Sequence, residues 1–530
     1  MTRFSHVVSL GIAFFGLVAC GAKPTPTASV AADAVVPHDR LSRIVDRYWD
    51  EHVSLAKSLA PQSMADSLAV EKRFYAEILA VPQADLDGDS RLTYDIFKRQ
   101  RELAIEGFTY PAELLPVNPF VGMPLQLARS AADAGQHPLK GAEDYENWLL
   151  RIEDYVRWTQ QAIANMREGM RRGYTSPRVV MERTLPLLQG YGEDTSANVF
   201  YIPLRTLPES IRDPERTRLI TSLTGAVKDK LLPAYRELHD FIQNEYLPRA
   251  RVSVALSTLP LGPSWYAYRV RRATGTLLTP SEIHSIGVME VERIRARMQP
   301  YPAGAPVAGT SDTLNAYQEW KTQALAAMPA LFSAVPQADS DITPGALPPA
   351  STDIASFLRE EIPGRRYQSM LQQERTDLPK FRRFGGDPAF VDGWALYAGS
   401  LGEELGLYRD DEAKRSALLA QLKCAVALVV DTGIHAKGWT RVQAVDYLRA
   451  QVAADDAEVN LMTDRFVALP GDALACMMGE LKIQALRIQA QQMQGARFDI
   501  REFHSEILKD GAMPLDILEA KMKRWMEARR

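Results

Sequence analysis

Cysteine is scarce, with three in 530 residues, too few for a disulfide framework to carry a fold of this size. With Cys20 set aside, Cys424 and Cys476 are all that the folded part holds. They lie far apart in sequence and neither sits in a protease signature, so buried free thiols are the expectation. An excess of charge of one sign is also lacking: 62 Lys and Arg stand against 66 Asp and Glu, a formal net charge of -4. That leaves no global basic field and argues against nucleic acid as a partner. Gly-x-Ser-x-Gly is absent, no glycine-rich phosphate loop follows a predicted strand, and no repeat of solenoid period is present. A nucleophile-elbow hydrolase, a P-loop enzyme and a repeat array therefore drop out.

The one long apolar run is at the start, where Arg3 precedes the nearly continuous stretch Val7 to Val18. It is short for a membrane-spanning helix. Leu17-Val18-Ala19-Cys20 resembles the lipobox of bacterial lipoproteins, which implies cleavage before Cys20 and lipidation of its side chain. An uncleaved anchor or a plain secretory signal is the alternative. Residues 1–20 are thus read as a signal peptide and 21–37, rich in Ala, Pro, Thr and Val, as a flexible tether. Gly21 stands where an aspartate often retains lipoproteins in the inner membrane, so the expected destination is the outer membrane, facing the periplasm.

Beyond the tether nearly every segment has helical period. Leu41, Ile44, Val45, Tyr48 and His52 form one stripe, with His52 expected as a packed core residue. Trp148, Leu149, Ile152, Tyr155, Val156, Ile163, Met166 and Met170 form another that closes at Gly173. Ser176-Pro177 and Asp213-Pro214 predict capped helix starts with proline in the first turn. Thr279 with Glu282, Thr440 with Gln443 and Asp455 with Glu458 have capping-box spacing. The fold class is all-α, with little β, and the expected architecture is two helical halves around a cleft. These run over about 38–299 and 352–530, with a Pro-, Ala- and Gly-rich linker region at about 300–351 around a helix from Thr313 to Phe332.

Leu358-Arg359-Glu360-Glu361-Ile362-Pro363-Gly364-Arg365-Arg366-Tyr367-Gln368 resembles the metal motif H-E-x-x-P-G-H-H-x-Q of the DUF885 family. Further blocks carry the resemblance across most of the chain, among them Asp392-Gly393-Trp394-Ala395-Leu396-Tyr397, Asp431-Thr432-Gly433-Ile434-His435 and Gly479-Glu480-Leu481-Lys482. The resemblance implies a helical, gluzincin-like peptidase fold in which intact relatives hold zinc through histidines and a carboxylate, leaving a position for activated water.

In this chain Arg359, Arg365 and Arg366 occupy the histidine positions, and guanidinium offers five donors and no lone pair to a metal. Glu360 stands at the position of the general base, a vestigial place without zinc beside it. Asp392 replaces the glutamate ligand with an acid one methylene shorter, which can still bind zinc; its alternative reading is a helix N-cap ahead of Trp394. Asp472 and Cys476 replace a glutamine and a tyrosine of the family pattern. His435 is read either as a group near substrate or as a structural histidine, and His284 and His504 as structural. The expected metal is none and the expected cofactor none.

The reading is therefore a lipid-anchored, catalytically inactive metallopeptidase homologue. Arg359, Arg365 and Arg366 are its candidate ligand-binding residues, toward a peptide or protein carboxylate, unless they simply pair with Glu360, Glu361 or Asp392. The rival reading is an active hydrolase with a rebuilt metal shell, from Glu360, Glu361, Asp392 and His435, or with a different mechanism on the same scaffold.

Overall fold

Periodicity fixes the helices and tertiary contacts adjust their ends. The structure is a computed structural model and describes residues 37–54, 58–135, 139–301, 313–334 and 353–529. The lipobox, Cys20 and nearly all of the tether lie outside the described residues. Every regular element among them is a helix, and the sole β-type contact is an isolated bridge between Pro177 and Arg251.

The stripe at the start forms the helix Pro37–Ser54, burying Leu41, Ile44, Val45 and Tyr48. His52 is a correction: its side chain is 46% exposed at the edge of the stripe, where Nδ1 lies 3.1 Å from the Tyr48 hydroxyl. The long helix is Ala142–Arg172, ended by Gly173 in the left-handed conformation at φ 79°, where a Cβ would be unfavourable. Thr279 and Thr440 close the expected capping boxes, and Asp455 accepts from the Glu458 N–H at 2.8 Å.

Two starts are displaced. The helices Arg178–Gly192 and Glu215–Ala226 begin one residue late, with Pro177 and Pro214 themselves at the cap and no side-chain cap. Ser176 is held by its backbone instead, donating to the Tyr246 hydroxyl at 2.7 Å and accepting from Arg251 N at 3.2 Å. Asp213 accepts from the Thr217 hydroxyl at 2.7 Å. Tertiary pairing has displaced the local cap.

Two buried apolar cores organise the chain. The first joins helices between residues 110 and 294 to those between 418 and 478. The second joins the helices before residue 97 to segments 317–413 and 483–526. The cores thus cut across the division at 300–351, and helix Thr313–Ala327 packs Tyr317 and Ala324 into the second. Helix Asp411–His435 is apolar and long enough to cross a membrane, yet 72% of its most apolar window is buried inside the fold, as in a central core helix.

Helices Pro388–Ser400 and Ala475–Gln494 cross at glycines. A Cβ on Gly393 would lie 2.3 Å from the Gly479 Cα, and one on Gly479 would lie 1.8 Å from the Ala389 carbonyl oxygen. A second link corrects the free-thiol expectation: Cys424 and Cys476 form a disulfide, with Cα atoms 6.1 Å apart, between helices Asp411–His435 and Ala475–Gln494. Their separation of 52 residues hid a contact that helix packing creates.

Candidate functional site

The motif folds as helix, turn, helix. Asp353 caps Ile354–Glu360 by accepting from the Ser356 N–H at 2.7 Å. After the turn 361–364 the chain re-enters a helix, Arg365–Glu374. Gly364 is needed in that turn because a Cβ would stand 1.9 Å from the Arg359 carbonyl oxygen. The Trp394 indole N–H donates to the Pro363 carbonyl at 2.9 Å and ties the turn to helix Pro388–Ser400. Three helices therefore deliver Arg359 and Glu360, Arg365 and Arg366, and Asp392 to one place.

There the charges pair with one another. Arg359 donates through Nε to Glu360 Oε1 at 2.9 Å, and Arg365 through Nε to Glu360 Oε2 at 3.1 Å. Arg365 also donates through Nη1 to Asp392 Oδ1 at 2.6 Å. Arg366 turns away and donates through Nη1 to Glu361 Oε2 at 3.2 Å, a carboxylate only 7% exposed. Burial works to lower the Arg365 guanidinium, but Asp392 and Glu360 outweigh it and hold it above its ordinary value.

Asp392 is not the helix cap that the alternative reading allowed. Asp387 caps that helix, accepting from the Phe390 N–H at 3.2 Å, while Pro388 fills the first turn and Asp392 falls inside the helix facing Arg365.

This donor set does not fit zinc. Both oxygens of Glu360 and one of Asp392 are engaged by guanidinium groups, which place positive charge where a dication would sit. Among the described residues no group of three or more His, Cys, Asp or Glu is placed to hold a metal ion.

His435 lies elsewhere. It is fully buried, its Nδ1 accepts from the Leu256 N–H at 3.0 Å, and its Nε2–H donates to the Phe466 carbonyl at 2.9 Å. Burial pushes it down to about 3, so the ring is neutral. Its partners belong to the first core and the arginine cluster packs on the second. His504 is likewise buried, donating through Nδ1 to the Leu331 carbonyl and accepting the Tyr397 hydroxyl at Nε2, both at 2.8 Å. His284 lies 2.9 Å from the Thr432 hydroxyl. Asp472 is exposed, 3.7 Å from Arg465, and Cys476 is consumed by the disulfide.

At the far end of helix Pro388–Ser400 a polar groove opens. Two cavities of about 440 and 240 Å³ share Arg297, Ser400, Glu403 and Gln421 in their walls. A Cβ on Gly399, next to Ser400, would lie 3.4 Å from the Arg359 Cβ, so the helix that carries Ser400 into the groove wall also packs against Arg359. Arg487 clamps Glu404 at 2.9 and 2.7 Å and donates to the Tyr397 hydroxyl at 3.1 Å.

Under this wall lies Glu480, a residue whose importance sequence reasoning missed. Gln421 and Gln484, both in the cavity lining, donate to its Oε1, while Oε2 is buried with no hydrogen-bond partner among the described residues. Burial pushes its carboxyl up to about 7. The available signal was an acid beside Gly479 in an otherwise apolar helix face, which marks a position but not its surroundings.

With the geometry in place, comparison identifies the family. Residues 50–325 and 349–522 match the sequence profile described as "Bacterial protein of unknown function (DUF885)". The chain belongs to the DUF885 family. It is similar in fold to a crystal structure of a "putative lipoprotein" from Colwellia psychrerythraea, with a TM-score of 0.81 and 21% identity over 93% of this chain and 100% of that one. A "putative lipoprotein of unknown function" from Shewanella oneidensis is similar at a TM-score of 0.65 and 16% identity, over 91% of this chain and 99% of the other. Comparison with curated proteins gives no match.

Proposed function

We propose that this protein is a lipid-anchored member of the DUF885 family that has exchanged zinc-dependent hydrolysis for binding, taking a peptide or protein carboxylate in the groove beside the former metal position. One observation carries this reading: the three positions where the family motif places histidines hold Arg359, Arg365 and Arg366, tied to Glu360, Asp392 and Glu361. A glutamate in the general-base position has no acidified water to act on without a metal. Arg359 uses only Nε within the cluster, leaving its terminal nitrogens for the planar, two-bond recognition of a carboxylate that guanidinium favours. The lipobox at Cys20 supports an anchor in the cell envelope, with the outer membrane facing the periplasm as the destination. The disulfide between Cys424 and Cys476 suits an oxidising compartment.

The test uses protein from Gly21 onward, purified without a tag. Metal analysis should find no stoichiometric zinc, and peptide cleavage should be absent with or without a chelator. Peptides with a free C-terminal carboxylate should bind more tightly than their amidated forms, and Arg359→Ala should weaken that preference about tenfold, the cost of one charged hydrogen bond. Stoichiometric zinc or chelator-sensitive cleavage overturns the reading.

A further inference from the structure

Apart from the arginine cluster, on the first core, lies a further cavity of about 220 Å³. Its wall is mainly apolar, with Val117, Val121, Val180, Leu256, Trp265 and Val467 in the lining. Two arginines, Arg251 and Arg269, interrupt it. Neither has a carboxylate in ion-pair contact among the described residues. Arg251 is anchored on backbone carbonyls alone, giving Nε to Thr175 at 2.8 Å and Nη1 to Ser253 and Ala255, both at 2.6 Å. Arg269 gives Nε to the Pro470 carbonyl at 2.6 Å, and its two terminal nitrogens have no hydrogen-bond partner among the described residues.

Both guanidinium groups are half-buried; drawing such a group partly out of water without an ion pair is unfavourable, and desolvation depresses both. The nearest buried acid is Asp431, whose carboxylate is already spent on the Tyr266 hydroxyl at 2.6 Å and the Gly471 N–H at 2.9 Å. Arg272 and Asp472, both exposed, offset each other at the margin. Two half-buried guanidinium groups thus border the cavity with no carboxylate in ion-pair contact among the described residues. At ~30 Å³ per water the cavity has room for about seven waters, and Val121, 44% exposed, stands at its edge.

We infer that this cavity is a binding site for a monocarboxylate with a short aliphatic tail, its head on Arg251 and Arg269 and its tail against Val117, Val180 and Trp265. The chemistry fits a free short-chain acid or the C-terminus of a peptide ending in an aliphatic residue. Arg251 also fastens the backbone of residues 253–255, so its removal endangers the fold. Arg269→Gln and the edge variant Val121→Glu test the site instead.

Titration calorimetry of the Arg359→Ala protein from Gly21 onward, which leaves the other carboxylate site out, with hexanoate and with N-acetyl-leucine should give one site per chain, and the tighter ligand names the source. Hexanol should not compete. Each variant should weaken binding at least tenfold while the circular dichroism spectrum is retained, and Lys523→Gln, at an exposed position outside both sites, should leave it unchanged. Absence of binding by both acids, equal binding of hexanol, or unchanged binding in both Arg269→Gln and Val121→Glu overturns the assignment.

Discussion

Replacing Glu480 by glutamine should change how stability depends on pH, in a direction fixed by its burial. The carboxyl is 1% exposed and is raised from 4.5 to about 7, chiefly by burial. Gln421 lowers it, as do Arg293 and Arg297, while Glu290 raises it, all less strongly. A carboxyl whose folded value exceeds its unfolded one favours the folded state below the unfolded value, and that contribution is lost as pH rises through the folded value. Between pH 5 and pH 7 the unfolded chain ionises at this position and the folded chain resists. With 1.36 kcal/mol per pH unit of separation, the linkage amounts to about 2 kcal/mol across that interval.

Glutamine keeps the shape, still accepts from Gln421 and Gln484, and does not titrate. Relative to the parent, Glu480→Gln should therefore gain about 2 kcal/mol on going from pH 5 to pH 7. Buried neutral His435 and His504 act with the opposite sign, losing stability as pH falls below 6.5, but they are common to both proteins and cancel in the difference. Urea unfolding at a series of pH values, followed by far-UV circular dichroism, measures it. Parallel profiles for the two proteins would refute the argument and mean that Glu480 is ionised and solvated in the folded chain.

A double-mutant cycle on Arg365 and Asp392, using Arg365→Met and Asp392→Asn, should yield a coupling of about 1 kcal/mol. A hydrogen bond to a charged group contributes about 1.5–3 kcal/mol, and side-chain exposures of 42% and 33% discount it for solvent screening toward the ~0.2–1 kcal/mol of surface pairs; a coupling indistinguishable from zero in urea unfolding would place the pair with ordinary surface charges. Opening the Cys424–Cys476 disulfide with a reductant should lower stability by about 4 kcal/mol in the chain-entropy account for a loop of this length, read as a shift of the urea midpoint. Gly479→Ala should cost about 3 kcal/mol, the upper end for overpacking, since the added Cβ meets the Ala389 backbone carbonyl and no rotamer relieves it; thermal melting of the soluble fraction reports it.

The helices were legible because their signals are local. The stripe from Tyr145 to Met170, the left-handed Gly173 and the Thr279 and Thr440 caps all act within one or two turns of their own chain. The displaced starts at Pro177 and Pro214, the exposed edge position of His52, and the disulfide depend on neighbours remote in sequence, for which no local pattern exists. The candidate site divides in the same way. That Arg359, Arg365 and Arg366 cannot ligate zinc follows from their chemistry alone. Their pairing with Glu360, Asp392 and Glu361 required the turn at Gly364 and the bond from Trp394 to Pro363. Asp387, not Asp392, caps its helix because Pro388 fixes where that helix can begin. Nothing in the sequence brought Arg251 and Arg269 together, since the residues around them come from four separate stretches between positions 112 and 470.

The contact of Gly393 with Gly479 gives the region a fixed frame. Where two helices touch through backbone, no side chain is left to be exchanged for a larger or smaller one, and the spacing between them cannot drift as the sequence changes. Asp392 and Glu480 each follow one of these glycines or precede it, so their separation is inherited with the crossing. Side chains at 359, 365 and 366 can change while the frame beneath them keeps its dimensions. A designer wishing to build a new metal or ligand shell here would begin with a settled distance between two acids and only side chains to choose.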